Sequence, residues 1–435
     1  MTSPAAPRFA ATVVVVRDAP QGLEVLMLRR TESRDHTSGA WVFPGGLLDR
    51  GDRQCHDLCV GIDDAAASAR LDLEQGGLDY YVAAIRECFE EAGILFAVDA
   101  HGRPIDLLVD TGTPLAQLRG PLHRGEVSFD AICRDLGLRL AAGELHYIAH
   151  WVTPPGRVKR FDTRFVLAVL PPGQSSAHDT LETVDHGWMR PADALAKAAE
   201  LRLLTPQRSL LATVGRHSDS ASLLAWARSP REVVTVAPRL AVNSSGLQTV
   251  QPHEPAWAEI GLIDPQGQGT AWCELRADVP VRLTAQVVRV TSAGGWNSYL
   301  VGTGDEWVAI DPGPHDQHHL DALRHAAAGR IGRILLTAGS PSPGALALAA
   351  ASGARLDTVR DGDDVRIADA LTLRIMAAPA APGHHLFLLV EEQILFSGAV
   401  ADAAALPAPH DGIAWVAPAQ GFLRSAKPAR QTPSG

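Results

Sequence analysis

The residues best suited to chemistry lie in the stretch Arg86-Glu87-Cys88-Phe89-Glu90-Glu91-Ala92-Gly93-Ile94. On a helix, Glu87 and Glu90 stand three residues apart and Glu87 and Glu91 four apart, which turns three carboxylates toward nearly one face. Like charges at that spacing repel by a few tenths of a kcal/mol per pair, and only Arg86 is close enough in sequence to offset them. A divalent cation resolves the conflict. Hard oxygen donors select Mg2+ or Mn2+, and Mg2+ commonly completes its shell with waters and substrate phosphate oxygens. The alternative is a solvent-facing Glu-rich turn with an Arg86–Glu90 pair.

Phosphate charge beyond a cation's reach calls for arginine, which binds phosphate in bidentate fashion. Arg29 and Arg30 precede Phe43-Pro44-Gly45-Gly46, and Lys159, Arg160 and Arg164 lie in WVTPPGRVKRFDTRF. The candidate substrate contacts are therefore Arg29, Arg30, Gly45, Gly46, Arg160 and Arg164. Trp41, Phe161 and Phe165 could stack on a base, although strand aromatics are more often core.

These groups need a scaffold. FAATVVVVRD and LEVLMLRR flank a polar Asp18–Gly22 turn and predict a hairpin. WVFPGGLLDRGD predicts a short strand entering a Gly-Gly turn, and residues 52–77, without strong periodicity, read as an insertion. Leu78, Val82, Ile85 and Phe89 recur at helical spacing, and Gly93 stands where a left-handed C-terminus is usual. HYIAHWVTP and RFDTRFVLAVLPP predict paired strands. An α/β unit is thus expected over residues 1–235, a connector or small extra sheet with short strand-like pieces over 236–285, a second unit over 286–425 and a flexible tail over 426–435.

Composition narrows the partners. The 435 residues carry 39 Lys and Arg against 49 Asp and Glu, a net charge of −10. That balance removes the generic electrostatic warrant for nucleic acid or anionic lipid. No apolar run approaches the roughly 18 residues of a membrane span. Five scattered cysteines argue against a disulfide framework, and Cys55 and Cys59 lack a second pair at zinc-site distance. A soluble, cytoplasmic protein with a small-molecule nucleotide substrate is expected, with a homodimer among its allowed assemblies.

RECFEEAGI matches the signature Arg-Glu, apolar, any, Glu-Glu, any, Gly, apolar at every specified position, and so resembles the Nudix box. The usual Gly is followed after six positions by Glu and then by the Arg-Glu pair; here Asp52 takes the Glu position and an insert separates it from Arg86. That break, with FPGG and the WVTP…KRFDTRF stretch, resembles the long-insert branch similar to coenzyme A diphosphatases. The resemblance implies an α/β/α sandwich hydrolysing a nucleoside diphosphate linked to another moiety, coenzyme A or acyl-CoA derivatives favoured. It further implies Glu87, Glu90 and Glu91 as ligands of Mg2+ or Mn2+, Glu90 and Glu91 as catalytic, and Arg86 as the residue orienting a box carboxylate. A carboxylate outside the box often assists in that family; Glu182 is the candidate, with Asp185 and Asp179 as substitutes.

The second half resembles a metallo-β-lactamase αββα fold in NSYLVGTGDEWVAIDPGP, RILLT and APGHHLFLLVEEQILFSGAV. Its metal ligands are missing. Ala338–Ala345 contains no His or Asp, Ala399 and Gln420 occupy ligand positions, and His384 survives alone. A binuclear zinc site needs about five or six donors. His318-His319 offers the most tempting substitute. Two further readings stay open: a nucleotide-binding or scaffold protein without turnover, and zinc-dependent hydrolysis by the C-terminal half.

Overall fold

The structure is a computed structural model describing residues 5–31, 39–105, 114–177, 183–368, 370–379, 381–400 and 412–426. It divides into two compact units. Residues 6–153 and 159–236 form one, and Pro154–Val158 with the described residues from Ala237 onward form the other.

In the first unit, β1 (Arg8–Ala19) and β2 (Gly22–Arg30) form the expected hairpin, pairing Val16 with Val25 and Ala19 with Gly22. β3 (Trp41–Val42) pairs with β2. β4 (Gly45–Leu47) pairs with β1, so the Gly-Gly segment, expected as a turn, is a strand. After α1 (Asp64–Leu71) and α2 (Gly77–Ala92) come β5 (Ala97–Val98), α3 (Pro114–His123), α4 (Phe129–Asp135) and β6 (Arg139–Leu140). β7 (His146–Val152) and β8 (Phe161–Val169) are antiparallel, and β8 runs parallel to β1. β9 (Thr183–Met189) pairs with β2. Helices α5 (Pro191–Ala196), α6 (Thr205–Val214) and α7 (Ser220–Arg228) lead to β10 (Thr235–Val236), which pairs with β7.

The run Val13-Val14-Val15-Val16 is fully buried because helices cover both faces of the sheet. Val13, Val15, Leu26, Leu28 and Val166 pack with Leu78, Val82, Ile85 and Phe89 of α2. Val14, Val16, Met27 and Leu167 face Leu210, Leu211, Val214 and Leu223 of α6 and α7. Burying each large apolar side chain of α2 contributes about 1.5–3 kcal/mol, which fixes the rotation of the helix and leaves its carboxylates off the core face. Gly93 ends the helix at φ 70°, with its N–H donating to the Phe89 carbonyl at 3.0 Å.

Residues 52–77 are more ordered than their weak periodicity suggests. They form a 3-10 turn over Asp52–Leu58 and then α1. The Asp64 carboxylate accepts from the Gly76 and Leu78 amides, each at 3.0 Å, and Ser68 Oγ from Gly77 at 2.9 Å. The insertion thus answers orphan donors at the start of α2, where Gly76 has no side chain to do so.

Residues 236–285, expected as a connector or a small extra sheet, also fold. β11 (Arg239–Asn243) and β12 (Gly246–Val250) form a hairpin, followed by α8 (Trp257–Ile263). Ala241, Val250, Ala256 and Ile260 make a small core. Buried Glu259 of α8 pairs with Arg289 and accepts from the Leu423 amide at 2.7 Å, which ties this segment to the rest of its unit.

The remainder of the second unit is a sandwich of two six-stranded sheets. The first comprises β13 (Val281–Arg282), β14 (Val287–Thr291), β15 (Asn297–Thr303), β16 (Glu306–Ile310), β17 (Ile331–Leu335) and β18 (Arg355–Leu356). α9 (Gln317–Ala326) follows β16 and α10 (Pro343–Ser352) follows β17; both cover the outer face of this sheet. The second sheet comprises β19 (Asp364–Ile367), β20 (Leu371–Ala377), β21 (His385–Leu389), β22 (Ile394–Gly398), β23 (Trp415–Pro418) and β24 (Arg424–Ser425). Val301, Ile310, Leu373, Phe387 and Phe396 fill the space between the sheets. A helix outside the second sheet, the fourth expected layer, is not among the described residues. Among those residues no helix is long and apolar enough to cross a membrane.

Candidate active site

The carboxylate turn of α2 is organised by Arg86. Its Nε donates to Asp52 Oδ1 at 2.8 Å and its Nη2 to Asp52 Oδ2 at 3.2 Å and the Leu47 carbonyl at 2.9 Å. Nη1 donates to Glu87 Oε1 at 2.8 Å and Glu90 Oε1 at 3.2 Å. The insert that separates Asp52 from Arg86 in sequence therefore closes in space. Asp52 is 1% exposed, and burial raises its carboxyl above the ordinary range against the opposing pull of Arg86. Burial raises Glu90 as well. For Arg86, burial works downward, but the bond to Asp52 and the charges of Glu87, Asp52 and Glu90 outweigh it and raise its pKa.

Glu91 turns to the strand, accepting from the Gly45 amide at 2.9 Å. A Cβ on Gly46 would overlap the Glu87 carboxyl group, and one on Gly45 would come within 2.6 Å of the Thr12 Cα. The Gly-Gly pair is thus required by the close approach of β4 to β1 on one side and to α2 on the other.

The other expected site residues have varied placements. Arg29 and Arg30 end β2, in register with Asp185 and Thr183 of β9. Arg160 Nε donates to the Thr153 carbonyl at 3.1 Å. Arg164, read as a substrate contact, is 5% exposed; its Nη1 bonds Tyr80 Oη at 2.9 Å and Asp162 Oδ1 at 3.0 Å, and its guanidinium stacks on the Tyr80 ring. Its position on β8 places it against Tyr80 of α2. Asp179 and Glu182 lie outside the described residues. Two residues carried no signal in the sequence: Arg119 donates to the Glu90 carbonyl, and His123 Nδ1 lies 3.9 Å from Glu90 Oε2. Nothing local marks them, because α3 meets α2 only in the tertiary fold.

As the side chains stand, no three His, Cys, Asp or Glu among the described residues converge to hold a metal ion. Arg86 holds Glu87 and Glu90, and Gly45 holds Glu91. The donor chemistry nevertheless fits a hard divalent cation, with oxygen ligands only and more carboxylates than the guanidinium neutralises. Occupancy requires Glu87 and Glu90 to turn off Arg86.

The second unit holds a different polar cluster. His319 Nε2 lies 2.8 Å from Ser298 Oγ, and Nδ1 lies 3.1 Å from Asp278 Oδ1. This has the connectivity of nucleophile, base and orienting acid, but Ser298 and His319 are 0% exposed and Ser298 Oγ also donates to the Asp311 carbonyl at 2.7 Å. The Asp311 carboxylate, raised by burial, accepts from Thr337 N at 2.8 Å and Oγ1 at 2.6 Å. These bonds tie β15, α9 and the turn after β16 together. His318 is almost fully exposed while His319 points inward, so the two do not form a pair of ligands.

The stretch that contains the Arg-ordered carboxylate helix, residues 73–209, matches the NUDT19 Nudix domain family model. The chain is 27% identical over 221 residues to human acyl-coenzyme A diphosphatase NUDT19, covering 43% of this chain and 59% of that protein. The chain thus spans just under three-fifths of that relative's length. Among solved structures, a NUDIX hydrolase from Alicyclobacillus acidocaldarius shares 28% identity at a TM-score of 0.43, covering 51% of this chain and 96% of its own. The BLEG-1 B3 metallo-beta-lactamase shares 16% identity at a TM-score of 0.27, covering 32% of this chain and 94% of its own.

Proposed function

We propose that the first unit is a diphosphatase that hydrolyses the phosphoanhydride of coenzyme A derivatives, acyl-CoA above all, with Mg2+ or Mn2+. One observation carries this reading. Asp52, Glu87, Glu90 and Glu91 are gathered around Arg86 and a Gly-Gly strand, leaving an excess of negative charge where a diphosphate could bind only together with a cation. The relatives named for acyl-CoA cleavage support the choice of substrate.

Glu87, Glu90 and Glu91 would hold the ion, which supplies Lewis acidity and a bound water of lowered pKa. The protein does the rest. Arg86, anchored by buried Asp52, gathers Glu87 and Glu90 side by side, from where their carboxylates would turn to a cation. Gly45 and Gly46 keep side chains out of the space in front of Glu87. Arg29, Arg30 and Arg160 are assigned to the outer phosphates and the 3′-phosphate, and Glu182 is assigned to accept the proton of the attacking water, with Asp185 as its substitute. Arg164 is assigned to support α2 from beneath.

A panel of coenzyme A, acyl-CoA, ADP-ribose, NADH and dinucleoside polyphosphates, assayed with each metal and resolved by mass spectrometry, tests the proposal. The expected products from acyl-CoA are adenosine 3′,5′-bisphosphate and acyl-phosphopantetheine. The Glu90→Gln/Glu91→Gln variant should lose on the order of 10³-fold in turnover. Unchanged turnover in that variant would discard the assignment.

A further inference from the structure

Helix α2 ends at Ala92, so the carbonyls of its last turn have no partner within the helix. Three of them are answered from elsewhere. The Gly93 amide takes the Phe89 carbonyl at 3.0 Å, and the Ala177 amide takes that of Ala92 at 2.8 Å. The Glu90 carbonyl is taken by a side chain: Arg119 of α3 reaches it through Nε at 3.2 Å and Nη2 at 2.9 Å. The same Nη2 continues to the Ala177 carbonyl at 2.8 Å. A cation at a helix C-terminus is also favoured by the helix dipole. His123 follows four residues later, on the same face of α3, and lies 3.9 Å from the Glu90 carboxylate. One face of α3 thus meets both the main chain and the side chain of the same glutamate.

We propose that α3 forms a second wall of the carboxylate site and that Arg119 is a positioning residue, setting Glu90 and Glu91 through the main chain of the last turn of α2. This rests on the hydrolase reading. Arg119 acts on the site through the main chain, donating to the Glu90 and Ala177 carbonyls. Without it the last turn of α2 is free to fray, and displacement of a ligand by about 1 Å is enough to cost roughly 10²-fold in rate. His123 limits the swing of the Glu90 carboxylate from the solvent side.

The test is Mn2+ affinity of the full chain, read from the electron paramagnetic resonance signal of the free ion, beside kcat and KM for acyl-CoA and the melting temperature. Arg119→Ala should weaken Mn2+ binding about tenfold or more and lower kcat while leaving KM within about threefold. Arg119→Lys, which keeps the charge and can reach one carbonyl, should recover most of the affinity, and His123→Gln should give a smaller loss of the same kind. Arg119→Ala and His123→Gln with wild-type Mn2+ affinity, beside a Glu87→Gln/Glu90→Gln variant that has lost it, would overturn the role of α3 and leave the hydrolase reading standing. A wild-type chain that binds no Mn2+ would overturn both. Should Arg119→Ala not fold, the Lys and Gln variants carry the same comparison.

Discussion

Each unit of this molecule gathers acids and a basic group near the end of a strand, and the two clusters differ in what they leave over. In the first, Arg86 serves Asp52, Glu87 and Glu90 at once, and the Glu87 and Glu90 side chains keep 15% and 11% of their surface in contact with solvent. In the second, Asp311 is matched by Thr337, and His319 by Ser298 and Asp278, with Ser298 and His319 fully enclosed. Carboxylates that share one guanidinium and keep contact with solvent suit the proposed cation site, whereas matched donors and acceptors inside a fold are a tie. Residue types alone do not distinguish the two, since a Ser, a His and an Asp in hydrogen-bonded sequence suggest catalysis until their burial is considered.

The sharpest way to break this contrast is Gly46→Ala. The new methyl group overlaps the Glu87 carboxyl group and forces it or the strand aside. A loss of about 10²-fold in turnover is expected, measured against the melting temperature to separate misplacement from unfolding. Unaltered turnover would show that the Glu87 position is not needed.

Acid stability comes next. His146 is buried, accepts from Arg228 Nε at 3.3 Å, and is lowered from 6.5 to about 4 by burial and by the charges of Arg228, Arg70 and Arg231. Its folded pKa lies below the unfolded one, so its neutral form is favoured in the fold. The contribution is intact above pH 6.5 and is lost as pH falls through 6.5 toward 4, by about 3 kcal/mol. Urea midpoints at pH 7 and pH 4.5 should converge in His146→Gln; an equal drop in that variant would contradict the assignment.

The smallest effect is expected at Ser298→Ala. Removing the hydroxyl leaves the His319 ring and the Asp311 carbonyl without that partner, at about 1–2 kcal/mol. Turnover should stay within twofold. A collapse of activity with an unchanged melting temperature would make the second cluster catalytic and reverse the comparison.

What could be read in advance follows from range. The α2 helix, its Gly93 terminus and the β1–β2 hairpin depend on neighbours in sequence, and periodicity exposes them. Asp52 stood at a recognisable spacing from Gly46, but its bond to Arg86 depends on how residues 52–77 fold back, and the weak periodicity of that stretch hid its 3-10 turn and helix. Gly45-Gly46 suggested a turn by composition, whereas the need was steric, two backbones and a carboxylate in one place. Arg164 was a phosphate candidate because arginine binds phosphate in bidentate fashion; only the sheet register and Tyr80 show that it is buried against α2. Arg119 and His123 were invisible, since helix α3 has no motif and its role arises from meeting α2. The β11–β12 hairpin fits the strand-like pieces of its stretch, whereas α8 was masked by Pro, Gly and Gln.

The central claim is that Glu87 and Glu90 form a cation site and the second unit does not. Dialysis against a chelator, reloading with Mn2+ and Zn2+ together, gel filtration and metal counting test it directly. The account predicts at least one Mn2+ retained per wild-type chain, none in Glu87→Gln/Glu90→Gln, and no stoichiometric zinc in either. Equal manganese in both proteins, or zinc retained in both, would contradict it.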